Sequence, residues 1–180
     1  MISNLPLRKV KMSSINPINF YLKQSHISEP GPFNQFLKEL PDNIEPLTDI
    51  VGGLLVHFIS DKEFLDEKLI RRRKWEAELR FVESILNRIL ELTHAPLTVA
   101  RNHEKRLLST CRDAALLLCC FMRYKGIPAR LRMGFAHFMY DESKPMHDHV
   151  WVEYWDDAAQ QWQYCDARMS YELKSRFNLH

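Results

Sequence analysis

Apolar side chains recur at the spacing of an amphipathic helix in three segments of the first half of the chain. The first segment extends from Phe33 to Leu40. The second places Pro46 in its first turn and extends to Ile59. Inside it, the pair Gly52-Gly53 predicts either a weakened helix or close helix packing.

The third segment, from about Phe64 to Leu92, has the strongest helical periodicity and predicts one long amphipathic helix. Its apolar stripe consists of Trp75, Leu79, Val82, Leu86, Ile89 and Leu90. The charged residues away from this stripe are Glu76, Glu78, Arg80, Glu83 and Arg88. Such a stripe favours core packing over a cofactor-binding surface, and Pro96 follows where the helix is predicted to stop.

Beyond Pro96, a shorter and more apolar helix begins at a cysteine. Thr110 and Asp113 have the spacing of a capping box, in which the hydroxyl accepts from a first-turn amide and the carboxylate accepts from the cap amide. The helix is therefore predicted to begin at Cys111. It continues through an apolar run to Gly126, a C-cap residue that Pro128 follows closely.

The rest of the chain alternates between apolar and polar residues, which is the pattern of half-buried strands. One strand is predicted from Ala129 to Met139 and another from His149 to Trp155. Residues 156–159 read as the tight connection of a hairpin to a third strand that ends at Asp166. Helices followed by an antiparallel sheet predict an α+β fold, with the cysteine-bearing helix packed on the sheet.

Composition and charge are those of an ordinary globular domain. At 180 residues, with 46% hydrophobic and 27% charged residues, the chain can bury a substantial core. The net charge of +2 does not indicate a nucleic-acid partner, and Arg71-Arg72-Arg73-Lys74 is interpreted as a solvated helix face. No window approaches the length of a membrane span, so neither nucleic acid nor a membrane is an expected partner.

The cysteines are expected to be free thiols. Cys119 and Cys120 are adjacent within the apolar helix, and Cys165 points to the strand face opposite to that of Asp166, so all three are interpreted as core residues. The opening residues have no apolar run of the kind that a secretory leader needs. A reducing, cytoplasmic location is the resulting expectation.

Cys111 stands apart because a helix start favours its anionic form. Free first-turn amides and the positive end of the helix dipole lower the pKa of a thiol there, and the thiolate is the nucleophile. Thiol catalysis also needs a base and a group that orients the base. His149 begins one strand of the predicted hairpin and Asp166 ends the other, so the two are expected to be cross-strand neighbours. The predicted catalytic residues are Cys111, His149 and Asp166.

Other interpretations of these residues stay open. Cys111 could be a small buried apolar residue at a helix start. His147 and His149 alternate on a strand and could bind zinc, with Cys111 or Asp166 as a third ligand, although no second metal-type spacing accompanies them. His137 is an alternative base, but no carboxylate is evidently placed to orient it. No metal and no cofactor is the preferred expectation.

The order of these motifs resembles the transglutaminase-like superfamily. The resemblance covers about residues 108–168 and rests on Thr110-Cys111-Arg112-Asp113, Gly126-Ile127-Pro128-Ala129-Arg130, Gly134-Phe135, Asp148-His149-Val150-Trp151-Val152-Glu153-Tyr154, Trp162 and Cys165-Asp166-Ala167. It implies a papain-like core in which Cys111 is the nucleophile, His149 the general base and acid, and Asp166 the residue that orients His149. The helical first half is also similar to that of bacterial members.

The resemblance implies thiol-dependent acyl transfer or hydrolysis at an amide, of protease, amidase or transglutaminase type, through a thioester intermediate. The expected partner is a protein or peptide substrate that offers an amide or a glutamine side chain. The backbone N–H of Cys111 would hold the oxyanion, with Asn102 or His103 as candidates for a second donor. The alternative function is a catalytically silent, protein-binding module.

The predicted elements and the resemblance together indicate a single domain, residues 1–180, with four parts. An N-terminal arm is expected at 1–31 and a helical subregion at 32–95. The catalytic core is expected at 96–171, and the tail 172–180 would end a shortened core.

Overall fold

The computed structural model describes residues 17–135 and 148–167, and these form an α+β fold. The helices and strands of the described residues are α1 (Ile44–Leu54), β1 (Leu55–His57), α2 (Glu67–Arg73), α3 (Val82–Leu92), β2 (Leu107–Ser109), α4 (Cys111–Tyr124), β3 (Ala129–Phe135), β4 (Asp148–Asp156) and β5 (Gln161–Cys165). Short 3₁₀ helices cover Pro17–Leu22, Gly31–Leu37, Lys62–Phe64, Lys74–Glu78 and His103–Lys105. The predicted end of the first long strand, His137, His147 and the tail 172–180 lie outside the described residues.

Helix α4 is the centre of the core. Its residues 114–122 are all buried, and the helix packs on β3 and β4 and also contacts α1 and α3. Strands β3, β4 and β5 form an antiparallel sheet in that order. Val152 and Cys165 face each other across β4 and β5 and belong to the same core cluster as α4. The predicted packing of a cysteine-bearing helix on an antiparallel sheet is confirmed.

A second, two-stranded sheet positions the start of α4. The prediction of a helix as far as Ile59 is wrong, because α1 ends at Leu54 and the chain turns into β1. Strand β1 pairs in parallel with β2, the strand that leads directly into Thr110 and Cys111. Leu55 and Val56 are buried, which explains why their apolar character resembled a continuing helix face.

The glycine pair in α1 marks a close contact, although its neighbour is the non-helical segment before β2 and not another helix. A Cβ on Gly53 would lie 3.0 Å from the Cβ of Ala100 and 3.1 Å from its Cα. At the same place the Gly53 carbonyl accepts a 3.0 Å hydrogen bond from the backbone N–H of Arg101. Only a residue without a side chain lets the segment before β2 approach α1 this closely.

The prediction of one helix from Phe64 to Leu92 is also wrong. The structure divides this segment into α2, the 3₁₀ turn Lys74–Glu78 and α3, and leaves 79–81 non-helical. At the 3₁₀ turn the predicted faces are exchanged: Glu76, predicted on the solvent side, is 0% exposed, whereas Trp75, on the predicted apolar stripe, is 51% exposed.

Glu76 is buried together with its partners. Arg73 and Arg88 each donate to Oε1 of Glu76 at 2.8 Å. The backbone N–H of Leu108 in β2 donates to Oε2 at 2.9 Å. A buried charge is tolerated only when it is paired and hydrogen-bonded in this way. The buried carboxylate thereby ties the broken helix to the strand that precedes Cys111.

The described part of the N-terminal arm packs on the sheet. The Tyr21 ring meets the Trp162 ring of β5 edge-on, with centroids 5.0 Å apart. The Arg130 guanidinium lies 3.9 Å from the Trp162 centroid and 5.6 Å from that of Tyr21. Tyr21 thereby holds the described part of the arm against the sheet. Within the described residues, no helix combines the length and apolar character needed to cross a bilayer.

Candidate active site

The nucleophile candidate lies at the first residue of α4. Thr110 and Asp113 form the predicted capping box, and the Asp113 carboxylate accepts from the Thr110 backbone N–H at 2.8 Å. The Thr110 hydroxyl donates to the same oxygen at 3.0 Å, and Arg112 donates to the other carboxylate oxygen at 2.7 Å. This network fixes the helix start, and it leaves the half-buried Cys111 among first-turn amides that have no intrahelical acceptor.

His149 and Asp166 meet in the interior. Nε2 of His149 lies 2.6 Å from Oδ2 of Asp166, and the two residues are 5% and 3% exposed. Val152 pairs with Cys165, so the continued register places Asp166 opposite Trp151, diagonally across from His149 and on the same sheet face. The structure therefore brings together the imidazole and the carboxylate that the sequence suggested, as a diagonal rather than a directly opposed pair.

Two aromatic residues of the sheet, Tyr164 and Trp151, lie against this pair. The Tyr164 hydroxyl donates to Oδ2 of Asp166 at 3.1 Å. Burial and the neighbouring Asp166 raise the pKa of Tyr164, so its hydroxyl keeps the proton that it donates. The Trp151 ring lies near-parallel to that of His149, with centroids 6.3 Å apart. Gly134 makes room for it, because a Cβ there would lie 2.9 Å from Cη2 of Trp151.

Three groups next to Cys111 favour its thiolate: the side chains of His149 and His57 and the backbone of Val150. Burial alone would raise the pKa of the thiol, but the bonds to these partners outweigh it and lower the pKa of Cys111 to about 6. Burial lowers the pKa of His149, while its bonds to Asp166 and Cys111 raise that pKa to about 9. Between these values the thiolate–imidazolium pair is the favoured form, which is the nucleophilic state of a thiol enzyme.

The remaining cysteines are distinct from Cys111. All four cysteines of the chain are free, and Cys119, Cys120 and Cys165 are buried. Burial raises the pKa of Cys119 to about 11, and it also raises that of Cys120. The sulfur of Cys165 lies 3.4 Å from the hydroxyl oxygen of Thr48. These are the environments of packing residues, as the sequence predicted.

The other sequence candidates are not brought to the sulfur. His103 stacks on Phe64 with centroids 4.8 Å apart, and Asn102 is exposed. Among the described residues no group of three or more His, Cys, Asp or Glu side chains is arranged to hold a metal ion. The zinc alternative also involved His147, and the alternative base was His137; both lie outside the described residues.

His57 is the functional residue that the sequence reading missed. It fell within the segment interpreted as a continuing helix, where its side chain had no assigned neighbour. One feature of the sequence could have indicated it: the apolar run Leu54-Leu55-Val56 ends at this histidine. If the run is taken as a short strand, His57 lies at the end of that strand.

Comparison with protein families gives one match. Residues 83–167 match the family model described as the transglutaminase-like superfamily. No curated protein and no solved structure matches the chain. The matched range contains Cys111, His149 and Asp166, together with α4 and the whole described antiparallel sheet. Residues 83–167 are a domain of the transglutaminase-like superfamily.

Proposed function

We propose that this protein is a cysteine-dependent enzyme that attacks amide carbonyls, with Cys111 as nucleophile, His149 as general base and acid, and Asp166 as the residue that orients His149. The observation that carries the proposal is the buried His149–Asp166 pair, with Nε2 2.6 Å from Oδ2, together with the Cys111 thiol whose pKa His149 lowers. The match of residues 83–167 to the transglutaminase-like superfamily supports the fold on which this proposal depends.

The first half of the proposed reaction forms a thioester. The thiolate of Cys111 attacks the amide carbonyl carbon, and the carbonyl oxygen takes up the negative charge. The backbone N–H of Cys111, at the positive end of α4, is aimed to stabilise that charge. His149 then gives its proton to the nitrogen as the C–N bond breaks, so ammonia or an amine leaves and the acyl group stays on sulfur.

The second half returns the enzyme to its starting state. Neutral His149 takes a proton from an incoming water or amine, which attacks the thioester carbonyl. Collapse of the second tetrahedral intermediate expels the Cys111 thiolate and releases an acid or a new amide. Asp166, which shares one oxygen between His149 and the Tyr164 hydroxyl, keeps the imidazole oriented through both halves.

The proposed substrate is a protein or peptide that presents a glutamine side chain or a peptide amide. Water as acceptor gives hydrolysis, and a primary amine gives transamidation. We further propose a cytoplasmic location, which the four free thiols support.

A panel of glutamine-containing peptides, incubated with and without a primary amine, tests this function. The expected result is release of ammonia or of a cleaved peptide by the wild type, with an amine adduct if transamidation is the reaction. Cys111→Ala should lose this turnover, whereas Cys119→Ala, which alters a buried thiol within the same helix, should keep it. Peptides left intact by folded wild-type protein would speak against the enzyme and for a silent binding module.

A further inference from the structure

His57 is held beside the nucleophile by the parallel strand pair. It is the last residue of β1 and lies opposite Ser109 of β2, two residues before Cys111. The Ser109 hydroxyl donates to the carbonyl of Val56 at 3.2 Å, and the Ser109 carbonyl accepts from the N–H of Phe58 at 3.3 Å. Hydrogen bonds on both sides of His57 therefore fix its backbone relative to the start of α4.

The turn after β1 decides which ring nitrogen of His57 carries the proton. Nδ1 accepts from the backbone N–H groups of Ile59 at 3.3 Å and Ser60 at 3.2 Å. The turn itself is closed by a 2.8 Å bond from the His57 backbone N–H to the Asp61 carboxylate. Because the Nδ1 lone pair is occupied, the proton of the neutral ring lies on Nε2, which is then a donor.

This arrangement makes His57 unsuitable as a second base. A base must turn a free ring nitrogen toward the thiol and have a partner for its positive charge. His149 has such a partner in Asp166, at 2.6 Å, whereas Nδ1 of His57 accepts from two backbone N–H groups. His57 pairs with the residue two positions before Cys111, so the remaining N–H of its ring can instead stabilise negative charge at the reacting atoms.

We propose that the Nε2–H of His57 is the second donor of the oxyanion hole, beside the backbone N–H of Cys111. In the resting enzyme His57 donates to the thiolate. When sulfur bonds to the substrate carbonyl carbon, the negative charge moves to the oxygen on that carbon, two bonds from sulfur, where the same donor can stabilise it. This assignment rests on the proposed function.

Two substitutions of His57 separate a donor from a structural residue. His57→Phe keeps an aromatic ring without a donor, and His57→Gln keeps an N–H at a similar reach. Acylation is measured as the burst of p-nitrophenolate from p-nitrophenyl acetate. Thiolate reactivity is measured as the iodoacetamide alkylation rate on its high-pH plateau, because alkylation at a saturated carbon forms no oxyanion. His103→Phe, at a histidine that stacks on Phe64, is the matched control.

The expected result is an acylation rate about 10²–10³-fold lower in His57→Phe, with no fall in the alkylation plateau and substantial recovery in His57→Gln. An acylation rate in His57→Phe equal to that of the wild type would overturn this inference alone. Equal losses of the acylation rate and of the plateau alkylation rate would also overturn this inference, because they would show that the substitution disturbs Cys111 itself. A wild type that gives no burst would refute the proposed function and this inference together.

Discussion

The reactivity of Cys111 in mild acid depends on His149, and His149→Ala is the variant that exposes this dependence. With a pKa of about 6, about half of Cys111 is thiolate at pH 6. A free cysteine of pKa about 8.5 is only about 0.3% thiolate at that pH, roughly a 150-fold difference. The lower basicity of Cys111 offsets about tenfold of this, for a Brønsted coefficient of about 0.4–0.5. The larger thiolate fraction outweighs the lower nucleophilicity, so at pH 6 Cys111 should react about tenfold faster than a free thiol.

Removal of the His149 side chain should raise the pKa of Cys111 and so remove its advantage over a free thiol at pH 6. The bond from His149 is the largest of the effects that lower the pKa of Cys111, whereas burial, which raises it, remains in the variant. The inflection of the alkylation profile should therefore move from about pH 6 toward or above the value of a free thiol. At pH 6 the variant should react more slowly than the wild type, while its high-pH plateau persists.

The assay is timed iodoacetamide labelling from about pH 5 to about pH 10, followed by peptide mapping with mass spectrometry. The buried Cys119 and Cys120 act as internal controls that stay unlabelled while the protein is folded. His103→Phe should retain the wild-type profile. A wild-type inflection near that of a free thiol, or the same inflection in His149→Ala, would refute the reasoning.

Three further predictions concern the support of the site. Asp166→Asn should lower kcat by orders of magnitude. It should also lower the pKa of His149 from about 9, so that the alkaline limb of the pH–rate profile shifts to lower pH; an alkaline limb at the wild-type pH would contradict the role of Asp166. Glu76→Ala should destabilise the fold by about 3–5 kcal/mol in urea titrations, far more than Glu91→Ala at an exposed ion pair, and similar losses would contradict the buried network. Asp113→Ala should cost about 0.5–2 kcal/mol by the same titration, and no loss would contradict the capping box.

The site was predictable where local rules determine it. The capping residues Thr110 and Asp113 indicate the start of α4 from local sequence alone, without knowledge of the rest of the fold. The hairpin places His149 and Asp166 near each other because a short connection fixes strand register. These two local signals suffice to assemble a nucleophile, a base and an orienting carboxylate.

The sequence failed where tertiary contacts override periodicity. Glu76 is charged but buried, because two arginines and a β2 amide satisfy it, and no hydrophobicity pattern can anticipate those partners. Strands of three residues such as β1 and β2 are too short to show a period of two. The apolar residues of β1 therefore seemed to extend α1, and that misreading concealed His57, which reaches Cys111 only through the parallel pairing.

The most direct test of the catalytic assignment is to trap the acyl group on the protein. Wild-type protein mixed with p-nitrophenyl acetate, quenched in acid and digested should carry an acetyl thioester on the peptide that contains Cys111. The label should be removed by hydroxylamine and be strongly reduced in His149→Ala. Acetylation confined to other residues, or a Cys111 label that is equally strong without His149, would contradict the proposed Cys111–His149–Asp166 triad.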